Sequence, residues 1–379
     1  MAPRPGKTAK VIIIQSILMH YRESFYEALL ARMKERNVDV SLYYGRAEEG
    51  ASYAIFARSA KFGTEFNRRR PFGRALWFPV VGEVLRADLV ISEHSAKILI
   101  NYILFVAQYL GGPKLVFWGH GRNFQTDNPD SFQERVKRFM GRHAHWYFAY
   151  TWRVRDELIA EGYDPNRVTD VQNAVEAPEP AAGAAGGETV RRELGLGDDA
   201  VVGLFCGRMY PRKRLDWLVA AAQRVHERMP EFRLVLAGAG ESQGIAEAAA
   251  EEHDFIHYVG PLFGERKAMH FAAARFCVFS GLLGLGVVDA FHFGVPPVAT
   301  DCSFHSPEIA YLVDGENGLV TEDSVEGLAN GMIRIAQDDE LHATLVAGCR
   351  DASQRLTVDA MADRYADGIV AALRAARLY

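Results

Sequence analysis

Near the start of the chain, Val11-Ile12-Ile13-Ile14 is an unbroken apolar run, the pattern of a strand covered on both faces. Phe25, Leu29, Leu30 and Met33 then recur at helical spacing. Apolar runs at 38–44, 89–92, 115–118 and 146–149 follow, separated by polar or glycine-bearing loops and helix-like periods. That alternation predicts a parallel, doubly wound sheet. The run 171–175 reads as the last strand of this half. The greasiest segment, 98–110, is interrupted by Asn101 and Gln108; it is too short to cross a bilayer and reads as a buried helix.

Beyond it, 176–188 is rich in Pro, Ala and Gly without apolar periodicity, the composition of a linker or surface excursion. A second α/β series begins at Val201, with strands at 201–206, 232–237, 256–259, 276–279 and 297–300. Helices are expected between them at 214–229, 242–252, 264–274 and 286–293. This is a second Rossmann-like sheet. The tail 358–378 keeps an amphipathic pattern through Met361, Tyr365, Ile369, Val370 and Leu373. The domain organisation expected is a first unit over 1–175, a linker over 176–199, and a second unit over 200–357. The tail helix 358–379 packs back on the first unit.

A length of 379 residues, about half of them hydrophobic, suits two cores of ordinary size. The net charge of −5 and pI near 6.2 leave no electrostatic footprint for nucleic acid. Cys206, Cys277, Cys302 and Cys349 lie far apart, which argues for reduced thiols in a reducing, cytoplasmic compartment. The start of the chain lacks the apolar core and small-residue cleavage site of a secretory peptide.

The candidate chemistry sits at strand ends. After the 201–206 strand comes Gly207-Arg208-Met209-Tyr210-Pro211-Arg212-Lys213-Arg214. Cations at a helix start oppose the dipole, so a compensating anion such as a phosphate or diphosphate is expected there. A loop whose charges merely face water is the competing reading. In the first half, Gly119-His120-Gly121 leaves an imidazole unscreened above the sheet. Glu93 and His94 end another strand. Tyr21 and Arg22 follow the first strand, where they either line a cleft or simply start a helix. Segment 45–80, with Arg68-Arg69-Arg70, reads as a solvated basic surface ahead of a lipid-binding one. Gly281-Leu282-Leu283-Gly284-Leu285-Gly286 is a strand-to-helix turn suited to face a phosphate or sugar.

In their order and spacing, Gly207-Arg208 with Lys213, Leu234 to Gly240, Val259-Gly260, Gly294 to Thr300, Pro307-Glu308 and Asp314-Gly315-Glu316-Asn317-Gly318 resemble GT-B glycosyltransferases. The likeness is closest to the large family 4 type. It implies an α/β fold of two Rossmann-like domains facing each other across a cleft, which closes over the donor. It also implies a hexosyltransferase-type activity that moves a sugar from a nucleotide diphosphate with retained configuration. Arg208 and Lys213 would hold the donor diphosphate with Gly284 and Gly286, and His120 would lie near the donor sugar. The family's two glutamates fall on Gly281 and Asp289: the second keeps a carboxylate for the ribose, and the first is lost. His305 and Glu308 are then expected to hold the sugar, with Tyr21, Arg22, Glu93 and His94 on the acceptor side. No Asp-x-Asp occurs in the chain, so the nucleotide sugar is expected as co-substrate without a metal or other cofactor.

The acceptor implied by the resemblance is a glycan or a lipid-linked carrier in bacterial surface polysaccharide or glycoconjugate synthesis. A lipid-linked acceptor would put the protein at the inner face of a membrane. Two other readings compete. One is a non-catalytic nucleotide-sugar binder or epimerase on the same fold, prompted by the missing glutamate. The other is an NAD-dependent oxidoreductase, prompted by Gly238-Ala239-Gly240 with Gly244, whose spacing is one residue too long for the dinucleotide fingerprint.

Overall fold

The computed structural model describes residues 8–46, 62–73, 75–121, 131–176 and 183–378. They form two units, Met1–Glu176 with Val358–Tyr379, and Ala177–Thr357.

The first unit runs β1 (Ala9–Gln15), α1 (Glu23–Glu35), β2 (Val38–Gly45), β3 (Thr64–Phe66), α2 (Val81–Val84), β4 (Leu89–Glu93), α3 (Ile100–Ala107), β5 (Lys114–Gly119), α4 (Phe132–His143), β6 (Trp146–Ala149), α5 (Trp152–Ala160) and β7 (Val168–Asp170). Its seven strands lie parallel in the order β3-β2-β1-β4-β5-β6-β7. Val11 to Ile14 are fully buried because both faces of the sheet are covered. One core packs α1 against β1 and β2, and the other lies under α3, α4 and α5.

The second unit runs α6 (Gly183–Glu193), β8 (Val201–Cys206), α7 (Leu215–Arg228), β9 (Phe232–Ala237), α8 (Gln243–Glu252), β10 (Ile256–Gly260), α9 (Gly264–Ala273), β11 (Phe276–Phe279), α10 (Gly286–Phe293), β12 (Pro297–Thr300), β13 (Leu319–Thr321), α11 (Val325–Gln337) and α12 (Asp339–Arg355). The sheet order is β10-β9-β8-β11-β12-β13, again parallel. Both sheets are Rossmann-like, with strand order reversing beside β1 in the first and beside β8 in the second. The tail forms α13 (Val358–Ala375), whose Met361, Tyr365, Ile369 and Leu373 join the core beneath α1. Arg32 pairs across the two helices with Asp359 (2.8 Å) and Asp363 (2.5 Å), and Arg36 with Asp367 (2.8 Å).

Three expectations are corrected. The last strand of the first sheet is Val168–Asp170, not 171–175: Gln172 takes φ 51°, a left-handed turn that ends the ladder. The linker expected over 176–199 contains α6, which packs on α9. There Gly187 lies so close to α9 that a Cβ would come within 2.7 Å of the Ala272 carbonyl oxygen. The small residues that read as a linker serve close helix contact. Finally, the helix expected buried over 98–110 is α3 over Ile100–Ala107, and its Val106 and the Tyr109 and Leu110 of the turn that follows face solvent. Arg68, Arg69 and Arg70 flank an irregular stretch in which Arg69 bridges Trp77. All four cysteines are free, Cys206 half-buried and the other three buried.

Candidate active site

In an open parallel sheet, the loops leaving the strands on either side of the order reversal diverge and open a crevice at the carboxyl edge. In the second unit these are the segments after β8 and after β11. The first is seated on glycines. Gly207 and Met209 donate backbone hydrogen bonds to Ala237 (3.0 Å) and Ala239 (2.9 Å). Gly238 and Gly240, at φ 147° and 148°, lie where a Cβ would meet the carbonyl oxygens of Gly207 and Met209 at 1.9 and 2.1 Å. Only glycine fits such a backbone approach. The Gly238-Ala239-Gly240 motif therefore cradles its neighbouring turn, not a dinucleotide, which removes the ground for the oxidoreductase reading.

Past Tyr210 the chain makes a 3-10 turn, Pro211–Lys213, and Arg214 adopts the left-handed conformation (φ 51°, ψ 51°) before α7 begins. The cations thus precede the helix instead of occupying its first turn as expected. Their uses differ. Arg214 is spent on the fold, paired with Asp323 at 2.5 Å and lying over the rings of Trp217 (4.3 Å) and Phe304 (4.6 Å). Arg212 lies 5.5 Å from the Phe304 ring. Arg208 is exposed, 5.9 Å from the Tyr210 ring, and among the described residues no carboxylate is within ion-pair distance of it. Lys213 Nζ stands 5.6 Å from the same ring and donates to the Leu282 carbonyl at 2.6 Å.

Burial pushes the Lys213 ammonium down to about 8, against the opposing pull of the Glu308 carboxylate and Cys302. It is still mostly protonated at neutral pH. An anion arriving here would raise that value again. Binding should therefore take up a proton, and affinity for a nucleoside diphosphate should fall as pH rises through about 8, by up to ~10-fold per unit. Calorimetric titrations from mildly to strongly alkaline pH check this; Lys213→Arg should flatten the fall, and a flat wild-type profile would contradict it.

The segment after β11 is stitched to the first. Ser280 Oγ donates to the carbonyls of Lys213 (2.8 Å) and Arg214 (3.0 Å), and Leu282 N–H donates to Arg212 (2.8 Å). Gly281 is pressed between these bonds: a Cβ there would lie 2.2 Å from the Arg212 carbonyl oxygen. The position that carries the first family glutamate cannot bear a side chain in this arrangement. A Cβ at Gly284 would have only Ser306 Oγ near it, at 3.9 Å, whereas one at Gly286 would press on the Phe279 ring at 3.1 Å. The amides around them precede the hydrogen bonds internal to α10 and offer donors to an anion.

His305 has a different role from the one expected. Its Nδ1 accepts Leu283 N–H (3.0 Å), and its Nε2–H donates to the Thr300 carbonyl (2.6 Å). A carbonyl only accepts, so the ring is the neutral Nε2–H tautomer, and burial lowers its pKa. Both nitrogens are used, and His305 anchors the glycine loop instead of binding a sugar. Glu308 is buried beside Lys213. Asp289, in the first turn of α10, pairs with Lys267 of α9 at 2.6 Å. Cys206 feels both charges, and burial pushes its thiol up to about 12. Lys267 had no signal in the sequence, because no spacing rule links the two helices.

In the first unit, Glu93 ends β4 and accepts both the Ser16 N–H (2.9 Å) and Oγ–H (2.6 Å), beside the order reversal next to β1. Burial raises its pKa, opposed by those two bonds. His94 is a structural residue, contrary to the acceptor-side expectation. Its Nε2–H donates to the Lys137 carbonyl (2.9 Å), and its Nδ1 accepts from Tyr147 (2.9 Å), whose hydroxyl accepts the Gly121 N–H (2.9 Å). Burial and Lys137 bring its pKa to about 3. This chain fixes the loop that holds His120 exposed, edge-on to Tyr150 at 4.2 Å. Arg22 is also structural: buried, it donates to Asn173 and to Met361 Sδ (3.6 Å) and lies 5.2 Å from the Trp118 ring. Tyr21 is half-buried beside it. Arg122 and Asn123 lie outside the described residues.

Residues 200–338, within the second unit, match the family described as glycosyl transferases group 1. The whole chain has the GT-B fold: Anabaena HepE, solved in complex with UDP and glucose, superposes with a TM-score of 0.68 over 96% of this chain and 99% of that one, at 17% identity. Among curated proteins, D-inositol 3-phosphate glycosyltransferase of Stackebrandtia nassauensis is 31% identical over 226 residues, 55% of this chain and 50% of that protein. Phosphatidyl-myo-inositol mannosyltransferase of Mycolicibacterium smegmatis is 30% identical over 150 residues, 38% of each. The chain spans about half the length of the first relative and less of the second.

Proposed function

We propose that the protein is a glycosyltransferase that moves a sugar from a nucleoside diphosphate donor to a hydroxyl of a glycan or lipid-linked acceptor, with retention at the anomeric carbon. The observation that carries this reading is the meeting of Lys213 with the Gly281 to Gly286 loop at the crevice beside β8, with Arg208 exposed on the same turn. When the bond from the anomeric carbon to the diphosphate breaks, its electron pair goes to the leaving oxygen. Two cations and the amides before α10 are preorganised for that charge. They would do there what a metal does elsewhere, and Asp289 would meet the ribose. The acceptor hydroxyl attacks the anomeric carbon, and its proton passes to the departing diphosphate. His120, exposed on a braced loop, is assigned to the sugar.

Incubation with labelled UDP-, GDP- and dTDP-sugars, with and without hydroxyl acceptors, tests the reading. Nucleotide release coupled to a larger glycan supports transfer; release or isomerisation without transfer would favour the epimerase or binder reading. His120→Ala should slow turnover while leaving nucleotide affinity nearly unchanged, measured by calorimetry beside a product assay. Unchanged turnover would make His120 structural.

A further inference from the structure

A parallel sheet has two edges, and Ser16, Glu93 and His120 occupy the carboxyl edge of the first one. At its amino edge, where α4 gives way to β6 and α5 to β7, lies a cavity of about 240 Å³. That is the space of about eight waters, enough for a small molecule and too little for a glycan chain. Tyr109, Trp146 and Tyr163 supply aromatic walls, and the exposed Arg142, Asp164 and Arg167 supply charge.

The charge is unbalanced. Arg142 makes no ion pair or hydrogen bond among the described residues, and the Arg167 side chain pairs only with Asp164, through Nε at 3.4 Å. The same carboxylate also accepts the Asn166 N–H at 2.9 Å. Buried His145 lies close by, its Nε2 bonded to the Ala372 carbonyl at 2.8 Å. Burial, with Arg167 and Lys114, holds its pKa below the ordinary value in spite of that bond. Tyr163 is only 5% exposed, and its hydroxyl rests against Gly141 on the cavity wall with no hydrogen-bond partner among the described residues. Burial and Glu161 raise its pKa, against Arg142 and Arg138, so it stands as a neutral donor.

We propose that this cavity is a second ligand site, which binds a small phosphate monoester of the size of a sugar phosphate. Arg142 and Arg167 take the phosphate, the rest of the molecule lies against Tyr109 and Trp146, and a ligand oxygen gives the Tyr163 hydroxyl its partner. Guanidinium forks match phosphate oxygens in pairs. A dianion also suits the surplus, because the cations Lys114, Arg138, Arg142 and Arg167 face only the carboxylates of Glu161 and Asp164 in this neighbourhood. A single carboxylate on the ligand would leave part of that charge uncompensated.

Calorimetric titration of the full chain with glucose 6-phosphate tests the site, with glucose as the uncharged control. The phosphate should bind and glucose should not. Arg142→Gln and Arg167→Gln should each weaken binding ~10-fold, the scale of one charge-assisted hydrogen bond. Tyr163→Phe should weaken it ~3-fold while leaving the melting temperature of the free protein unchanged or raised, since it deletes a hydroxyl that lacks a partner. His120→Ala and Lys213→Met should bind like wild type, which keeps the result independent of the transfer reading. A lipid headgroup offers related chemistry, although no helix among the described residues is long and apolar enough to cross a membrane. Glycerophosphoglycerol, a soluble diester with a single charge, separates that source and should bind ~10-fold more weakly than the monoester. No binding by wild type, unchanged affinity in the arginine or Tyr163→Phe variants, affinity lost in His120→Ala, or a diester bound as tightly would each overturn the proposal.

Discussion

Replacing Lys213 by methionine, or Arg208 by alanine, is expected to slow donor turnover by at least ~10²-fold, the scale of removing one preorganised donor from developing charge. The two losses should differ in character. Arg208 is exposed and touches only the Tyr210 ring among described side chains, so its removal should leave the melting temperature of the free protein unchanged. Lys213 is half-buried and donates to Leu282; methionine keeps its stem while removing a charge that costs desolvation. The free protein should lose little stability, and the stabilisation that nucleotide adds should shrink. Turnover is read in a nucleotide-release assay and stability in thermal melts with and without a nucleoside diphosphate. Wild-type rates in both variants would rule out the diphosphate site.

The second large effect concerns Gly281. Restoring the family's glutamate by Gly281→Glu should abolish activity instead of improving it, and Gly281→Ala should already impair it. A Cβ at this position would meet the Arg212 carbonyl oxygen at 2.2 Å and the Lys213 carbonyl carbon at 3.0 Å. Both contacts are backbone, so neither can rotate away. Relief requires the two segments to part, which breaks the bonds from Ser280 and Leu282 and displaces Lys213. Overpacking of this kind costs about 1–3 kcal/mol, visible as a lower melting temperature alongside the lost turnover. A Gly281→Glu protein with higher activity and unchanged melting would show that the segments part freely and that the glutamate is merely missing.

The fold was legible where the chain repeats a simple period. Buried parallel strands must be apolar on both faces, so Val11 to Ile14 and Val201 to Cys206 declared themselves, and each was followed by a helical period. What escaped depends on contacts between distant segments. Gly187 reads as linker until α9 is placed against it, and Gly238 and Gly240 read as a ligand turn until Gly207 and Met209 are seen resting on them. The site was legible as chemistry but not as bonding. Arg208 and Lys213 could be picked from charge at a strand end, whereas the pairing of Arg214 with Asp323, of Arg22 with Asn173 and of Asp289 with Lys267 requires the fold. Histidines are the sharpest case. His94, His120 and His305 all occupy strand-end loops, and only hydrogen-bond geometry separates the two that hold loops in place from the one left exposed.

The central claim is that the turn after β8 grips a diphosphate. Its most direct test is calorimetric titration of wild type and Lys213→Met with a nucleoside diphosphate and with the corresponding nucleoside. Binding of the diphosphate form by wild type, at least ~10-fold weaker binding by the variant, and little affinity of either for the nucleoside are the expected results. Equal affinity of wild type and variant for the diphosphate, or a nucleoside that binds as tightly as its diphosphate, would contradict the account.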